Sequence, residues 1–182
     1  MVGLHLNHIR PNCTRLYGPR LTSPPAATLL DRAVELTYIG GQYGNQKPTP
    51  FLCLVFKLLQ LMPEREIILE YLHDTNFKYL RALAAFYIRL TWSAVDIFKT
   101  LEPLLGDYRK LKLRGQAGFR LTYMDEFIDD LLAKDRVCDI ALPRIPTRAQ
   151  LEDLDELESR ESALGSEIES GDESNASGGE DD

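Results

Sequence analysis

The chain has 182 residues, 44% of them hydrophobic, which is enough for one globular domain with a core of its own. Its formal net charge of −7 is unevenly placed: residues 148–182 hold two basic and 13 acidic side chains, so residues 1–147 carry +4. No apolar run reaches the roughly 18 residues of a membrane span, and the opening MVGLHLNHIRPNC has no long apolar stretch of the secretory kind.

Residues 1–25 are rich in Pro, Arg and Asn and read as an N-terminal arm. Ser23 is placed to cap a helix with Pro24 at its first position, running to about Ile39 and ended by Gly40-Gly41. After the loop GGQYGNQKP, Thr49-Pro50 opens a second helix that Pro63 stops. A third spans Glu64 to His73. The fourth, Asn76 to Trp92, is apolar nearly all round. Its only charges, Lys78, Arg81 and Arg89, fall with Ala85 on one narrow line. A helix with a single polar stripe is normally central, so the other elements are expected around it, with Asn76 as its cap. A fifth runs from Ser93 to Leu105, with a boundary near Pro103.

The pattern then changes. Lys110–Arg114 and Phe119–Thr122 alternate about a Gly115–Gly118 turn, which predicts a hairpin leaning on the helices. Thr122 with Asp125 resembles a capping box opening a helix from Tyr123 to Ala133. Cys138 to Pro143 is a short apolar segment closing the core, and Thr147 caps a last helix from Arg148 to about Leu164. The expected fold class is therefore all-α: a compact multi-helix domain around a central buried helix, with a small two-stranded β-ribbon. Its parts are an arm (1–25), a helical scaffold domain (26–146), an acidic helix (147–164) and a disordered acidic tail (165–182).

The search for chemistry leaves no active site and no cofactor. GGQYGNQKPT is not a phosphate loop, because Lys47 lies three residues after Gly44 and a helix precedes it. It reads as a tight turn, or as an exposed loop that a partner recognises through Tyr43 and Lys47. His5, His8 and Cys13 match no common zinc spacing. Three scattered cysteines, with Cys53 and Cys138 in apolar runs, read as free thiols of a reducing compartment, cytosol or nucleus. No nucleophile has a histidine placed to serve it.

What remains is surface. Asp125, Glu126, Asp129 and Asp130 crowd one helix, as a solvated face or as a docking face for a basic partner helix. Lys110, Lys112, Arg114 and Arg120, with Arg109, make the ribbon basic, for solubility, for an acidic protein surface or for RNA. The Lys78–Arg81–Arg89 stripe is a surface salt-bridge line or a groove for a partner helix. On the second reading, Arg81→Glu weakens a protein partner and leaves the fold intact. Ser166, Ser170 and Ser177 each have Glu three residues on, the pattern of acidophilic kinases.

Several longer stretches are familiar. They are Gly40-Gly41 with Lys47 to Leu54, Phe77-Lys78-Tyr79 with Arg81, Arg89-Leu90-Thr91, Leu101 to Leu104, Asp107 to Lys110, Asp125 to Asp129, and Val137 to Ile140 with Leu142-Pro143-Arg144. In this set and order, from about Leu30 to Leu157, the chain resembles the N-terminal domain of the pre-mRNA-splicing factor thirty-eight family. The resemblance implies a nuclear, non-catalytic, all-helical scaffold with a small β-ribbon, which joins the spliceosome before its activation and helps it become catalytically competent. It implies association with the tri-snRNP and partners that are helical segments of other splicing factors, among them a zinc-finger protein and one first named as microfibril-associated. Direct RNA binding through the ribbon stands as the second reading. Trp92 occupies a position where the family usually has a small residue, and the chain ends in acid where many animal members are Arg/Ser-rich.

Overall fold

The structure is a computed structural model in which residues 26–159 are described. The arm over 1–25, the tail from 165 and the three candidate phosphoserines lie outside them. The helices seen are α1 (Ala26–Val34), α2 (Pro50–Leu61), α3 (Arg65–His73), α4 (Lys78–Thr91), α5 (Ala94–Leu101), α6 (Met124–Ala133) and α7 (Arg148–Asp153), with a 3₁₀ turn over Glu102–Gly106. The strands are β1 (Ile39–Gly40), β2 (Gln42–Tyr43), β3 (Lys47–Pro48), β4 (Lys110–Arg114), β5 (Phe119–Tyr123), β6 (Arg136–Val137) and β7 (Ile140–Ala141), in three small sheets. This corrects the all-α expectation: the fold is mixed and helix-rich. The chain divides into one compact unit through Pro146 and a second from Thr147.

Helix α4 is the axis of the first unit. Every residue from Leu80 to Leu90 is buried, and α1, α2, α3, α5 and α6 all pack on it. Ala82, Ala84 and Ala85 let those neighbours come close. Three phenylalanines from different helices meet beside it. Phe51 of α2 is edge-on to Phe86 of α4 at 5.8 Å, and Phe86 stacks on Phe127 of α6 at 6.4 Å. Burying a ring of this kind stabilises by about 1.5–3 kcal/mol. Asn76 is not the cap expected. Its N–H is taken by the Asp74 carboxylate at 2.7 Å, which turns the chain so that the helix opens at Phe77 with no side-chain cap.

The predicted cap at Thr147 is present, and Thr49 and Ser93, where helices were expected to start, also cap them, each hydroxyl accepting an N–H of the first turn. The capping box of α6 is shifted by one: the Glu126 carboxylate accepts from Tyr123 N–H and from the Thr122 hydroxyl. Helix α1 stops at Val34, five residues short of expectation. Ile39 is buried instead by pairing, since β1 joins β4 in parallel with Ile39 beside Leu113 and Gly40 beside Arg114. The ribbon is therefore three-stranded, in the order β1-β4-β5. Helix α5 gives way at Pro103 to the 3₁₀ turn. Cys138 and Asp139, both at positive φ, make the two-residue turn between β6 and β7. In the second unit α7 ends at Asp153, short of Leu164, and Asp155 takes a left-handed conformation that breaks the helix. Cys53 is disulfide-bonded where a free thiol was expected, and Cys138 remains free.

Candidate functional site

The charged stripe of α4 is covered at Arg81 and Arg89 and half-buried at Lys78, which corrects the expectation of an uncovered line. Arg89 is 2% exposed, Arg81 9% and Ala85 0%. Arg89 Nε donates to the Leu131 carbonyl at 2.7 Å, near the end of α6, where a cation is favoured. Burial lowers its pKa, and Asp135 acts in the opposite direction. Arg81 donates from Nη1 to Asp107 Oδ2 at 2.8 Å and from Nη2 to the His73 carbonyl at 3.3 Å. Arg109 grips the same carboxylate with Nε at 2.8 Å and Nη2 at 2.6 Å, and donates from Nη1 to the Thr75 carbonyl. These bonds, those of Arg109 first, hold the Asp107 carboxyl at about 2, against the opposing effect of its burial. Carbonyls of Asp107 and Arg109 accept the first N–H groups of α6, from Asp125 and Met124. The network therefore joins the end of α3, α4, the sheet and α6.

The basic ribbon divides by face. Lys110, Lys112 and Arg114 alternate with Leu111 and Leu113, and Leu111 is 1% exposed. The hairpin register sets Tyr123, Leu121 and Phe119 across from the three cations. Arg120 lies across from Leu113, on the other face, and does not join the row. Arg109 turns to Asp107 and Thr75. Lys78 adds to the end of the row, its ammonium donating to the Lys110 carbonyl at 2.6 Å.

Aromatic rings order this row. Lys112 Nζ sits 4.1 Å from the centre of the Phe119 ring, and the Arg114 guanidinium lies 4.6 Å from Phe119 and 5.1 Å from Tyr43. Tyr38 meets Phe119 edge-on at 5.3 Å. Burial, then Tyr43, raise the Tyr38 phenol pKa, and Arg114 opposes them. Tyr43 thus leaves the loop reading and joins the ribbon, while Lys47, its partner across β2–β3, stays exposed. Sequence reasoning missed Tyr38 and Phe119. The signal was present in the register, because a hairpin turning at Gly115–Gly118 sets Phe119 opposite Arg114.

The four acidic residues of α6 do different things. Glu126 caps the helix, and Asp130 pairs with Lys134 at 2.5 Å. Asp129 is exposed, and Asp125 is half-buried with Oδ1 lacking a hydrogen-bond partner. Among the described residues no three His, Cys, Asp or Glu side chains are placed to hold a metal. Cys138 is half-buried, and the burial of its thiol, followed by Asp139 and Asp130, pushes its pKa up to about 12. It therefore has little thiolate at neutral pH.

Known proteins resemble this chain in sequence and fold. The chain is 64% identical over 133 residues to pre-mRNA-splicing factor 38 of Schizosaccharomyces pombe, covering 73% of this chain and 63% of that protein. It is 53% identical over 141 residues to pre-mRNA-splicing factor 38A of Homo sapiens, covering 76% of this chain and 45% of that one. It thus spans about half to two thirds of the length of these relatives. A chain in the crystal structure of the Snu23–Prp38–MFAP1(217–258) complex of Chaetomium thermophilum superposes with a TM-score of 0.82 at 48% identity, over 93% of this chain and 92% of that one. The model of the PRP38 family matches residues 14–155, and the chain belongs to that family.

Proposed function

We propose that the chain is a non-catalytic scaffold of the spliceosome, acting in the nucleus with the tri-snRNP and binding helical segments of other splicing factors. The observation that carries this reading is the near-complete superposition, at 48% identity, on a chain from a solved complex of Snu23, Prp38 and MFAP1. A rigid body suits the role. The α4 core is continuous, and the Asp107 network ties its elements together, so exposed side chains are presented on a fixed frame.

Lys47 at the β2–β3 turn and Asp129 on α6 are exposed, and we assign them to protein contacts; Asp125 stands one turn before Asp129. Affinity purification of the tagged chain after nuclease treatment, followed by mass spectrometry, tests the reading. Splicing proteins are expected to co-purify without RNA, and their absence overturns it. Lys47→Glu with Asp129→Lys is expected to lower that recovery and leave the melting temperature unchanged.

A further inference from the structure

The cation–aromatic face of the β1-β4-β5 sheet is not required by the core or by the scaffold reading. Its opposite side is occupied, with Leu111 buried, while Phe119 is 48% and Leu121 59% exposed. Strand β5 is the edge of its sheet. An exposed edge bearing large apolar side chains is normally blunted or covered.

We propose that this face binds single-stranded RNA, with phosphates along Lys110, Lys112 and Arg114 and bases on Phe119 and its neighbouring rings. Alternate residues of a strand stand about 6.6 Å apart, a spacing close to that of successive phosphates in an extended single strand. The Arg114 guanidinium lies beside the rings of Phe119 and Tyr43. Ordered there, it offers a charge for a phosphate next to an exposed ring on which a base can stack. Gly40 clears the space beside it, because a Cβ there would lie 2.5 Å from the Arg114 carbonyl oxygen and 3.0 Å from its Cβ. An acidic peptide would satisfy the cations and leave Phe119 and Leu121 bare. A nucleic acid strand uses both, since every base has a face to stack. A duplex keeps its bases stacked inside and has little use for exposed rings.

Fluorescence anisotropy with the full-length chain and a labelled, unstructured 12-nucleotide RNA tests this. Three phosphate contacts give a slope of about −2 in log K against log salt, so affinity is expected to fall roughly 20-fold between 50 and 200 mM salt. Lys112→Glu, at an exposed site, is expected to weaken binding at least tenfold. Phe119→Ala is expected to lose about tenfold, and Phe119→Tyr, which keeps the ring, to retain binding even if the alanine variant melts early. Arg120→Glu makes the same charge change on the other face and is expected to cost less than threefold. A duplex of equal length is expected to bind at least tenfold more weakly. The proposal fails if the chain does not bind the RNA at 50 mM salt. It also fails if Arg120→Glu matches Lys112→Glu, if the duplex binds equally well, or if a polyglutamate peptide of equal charge displaces the RNA as effectively as unlabelled RNA.

Discussion

The residues with the clearest sequence signal are the ones whose role changed most. Arg81 and Arg89 are charges on an otherwise apolar helix, and helical periodicity alone does not distinguish a surface stripe from a buried one. The partners decide it, and they come from distant segments: Asp107 for Arg81 and the Leu131 carbonyl for Arg89. Arg81→Glu, expected from sequence to spare the fold, would set a buried carboxylate against Asp107. Removing one member of a buried pair costs about 3–5 kcal/mol. A drop in melting temperature on the order of 10 °C is therefore expected by calorimetry.

Asp107 also carries a pH signature. Its folded pKa, at about 2, lies below the usual carboxylate value of 3.8, so its contribution is complete above that ordinary value. It is lost as pH falls through the folded pKa, over roughly pH 4 to 2. The difference in urea midpoint between the wild type and Asp107→Asn is expected to shrink across that window. Cys138 follows the opposite logic. With its thiol pushed up to about 12, Cys138 holds far less thiolate at pH 8 than in the unfolded chain. Peptide mapping after iodoacetamide treatment at pH 8 is expected to find Cys138 unmodified in the native protein and labelled in urea.

Elements were legible where local chemistry decides them. Thr49 before Pro50, Ser93 and Thr147 each supply a hydroxyl where a helix starts, and the Lys110–Tyr123 hairpin follows from alternation about a turn. What could not be read was pairing at a distance. Nothing near Ile39-Gly40 announces that it extends alongside β4, so local pattern alone makes helix α1 too long and the ribbon one strand too narrow. The Gly41 region shows the same thing. Gln42 N–H donates to the Asp139 carboxylate at 2.8 Å, and a Cβ at Gly41 would run into Asp139 and the Cys138 carbonyl. A helix end and a strand junction both call for glycine, and only the fold tells them apart. Gly40 has φ +152, which side chains rarely adopt. Gly40→Ala is expected to part β1 from β4 at a cost of more than about 1 kcal/mol, and hydrogen exchange should rise at Ile39 and Leu113 while α4 stays protected.

At the scale of the molecule, the charge split becomes a mechanism. Residues 1–147 carry +4 and present a row of cations, while residues 148–182 carry −11. The acidic residues lower the chain's net charge and with it any polyanion's attraction to the chain, and salt screens that effect over a Debye length of about 8–10 Å. Replacing the eight Asp and Glu residues between 161 and 182 by Asn and Gln takes the full chain from −7 to +1. The expected result is RNA binding about three- to tenfold tighter at 50 mM salt, with the two proteins converging at 0.5 M. The same variant carrying Lys112→Glu is expected to lose most of that gain, since the proposed RNA face is then damaged. A gain that survives both high salt and Lys112→Glu would mean that net charge is not its cause.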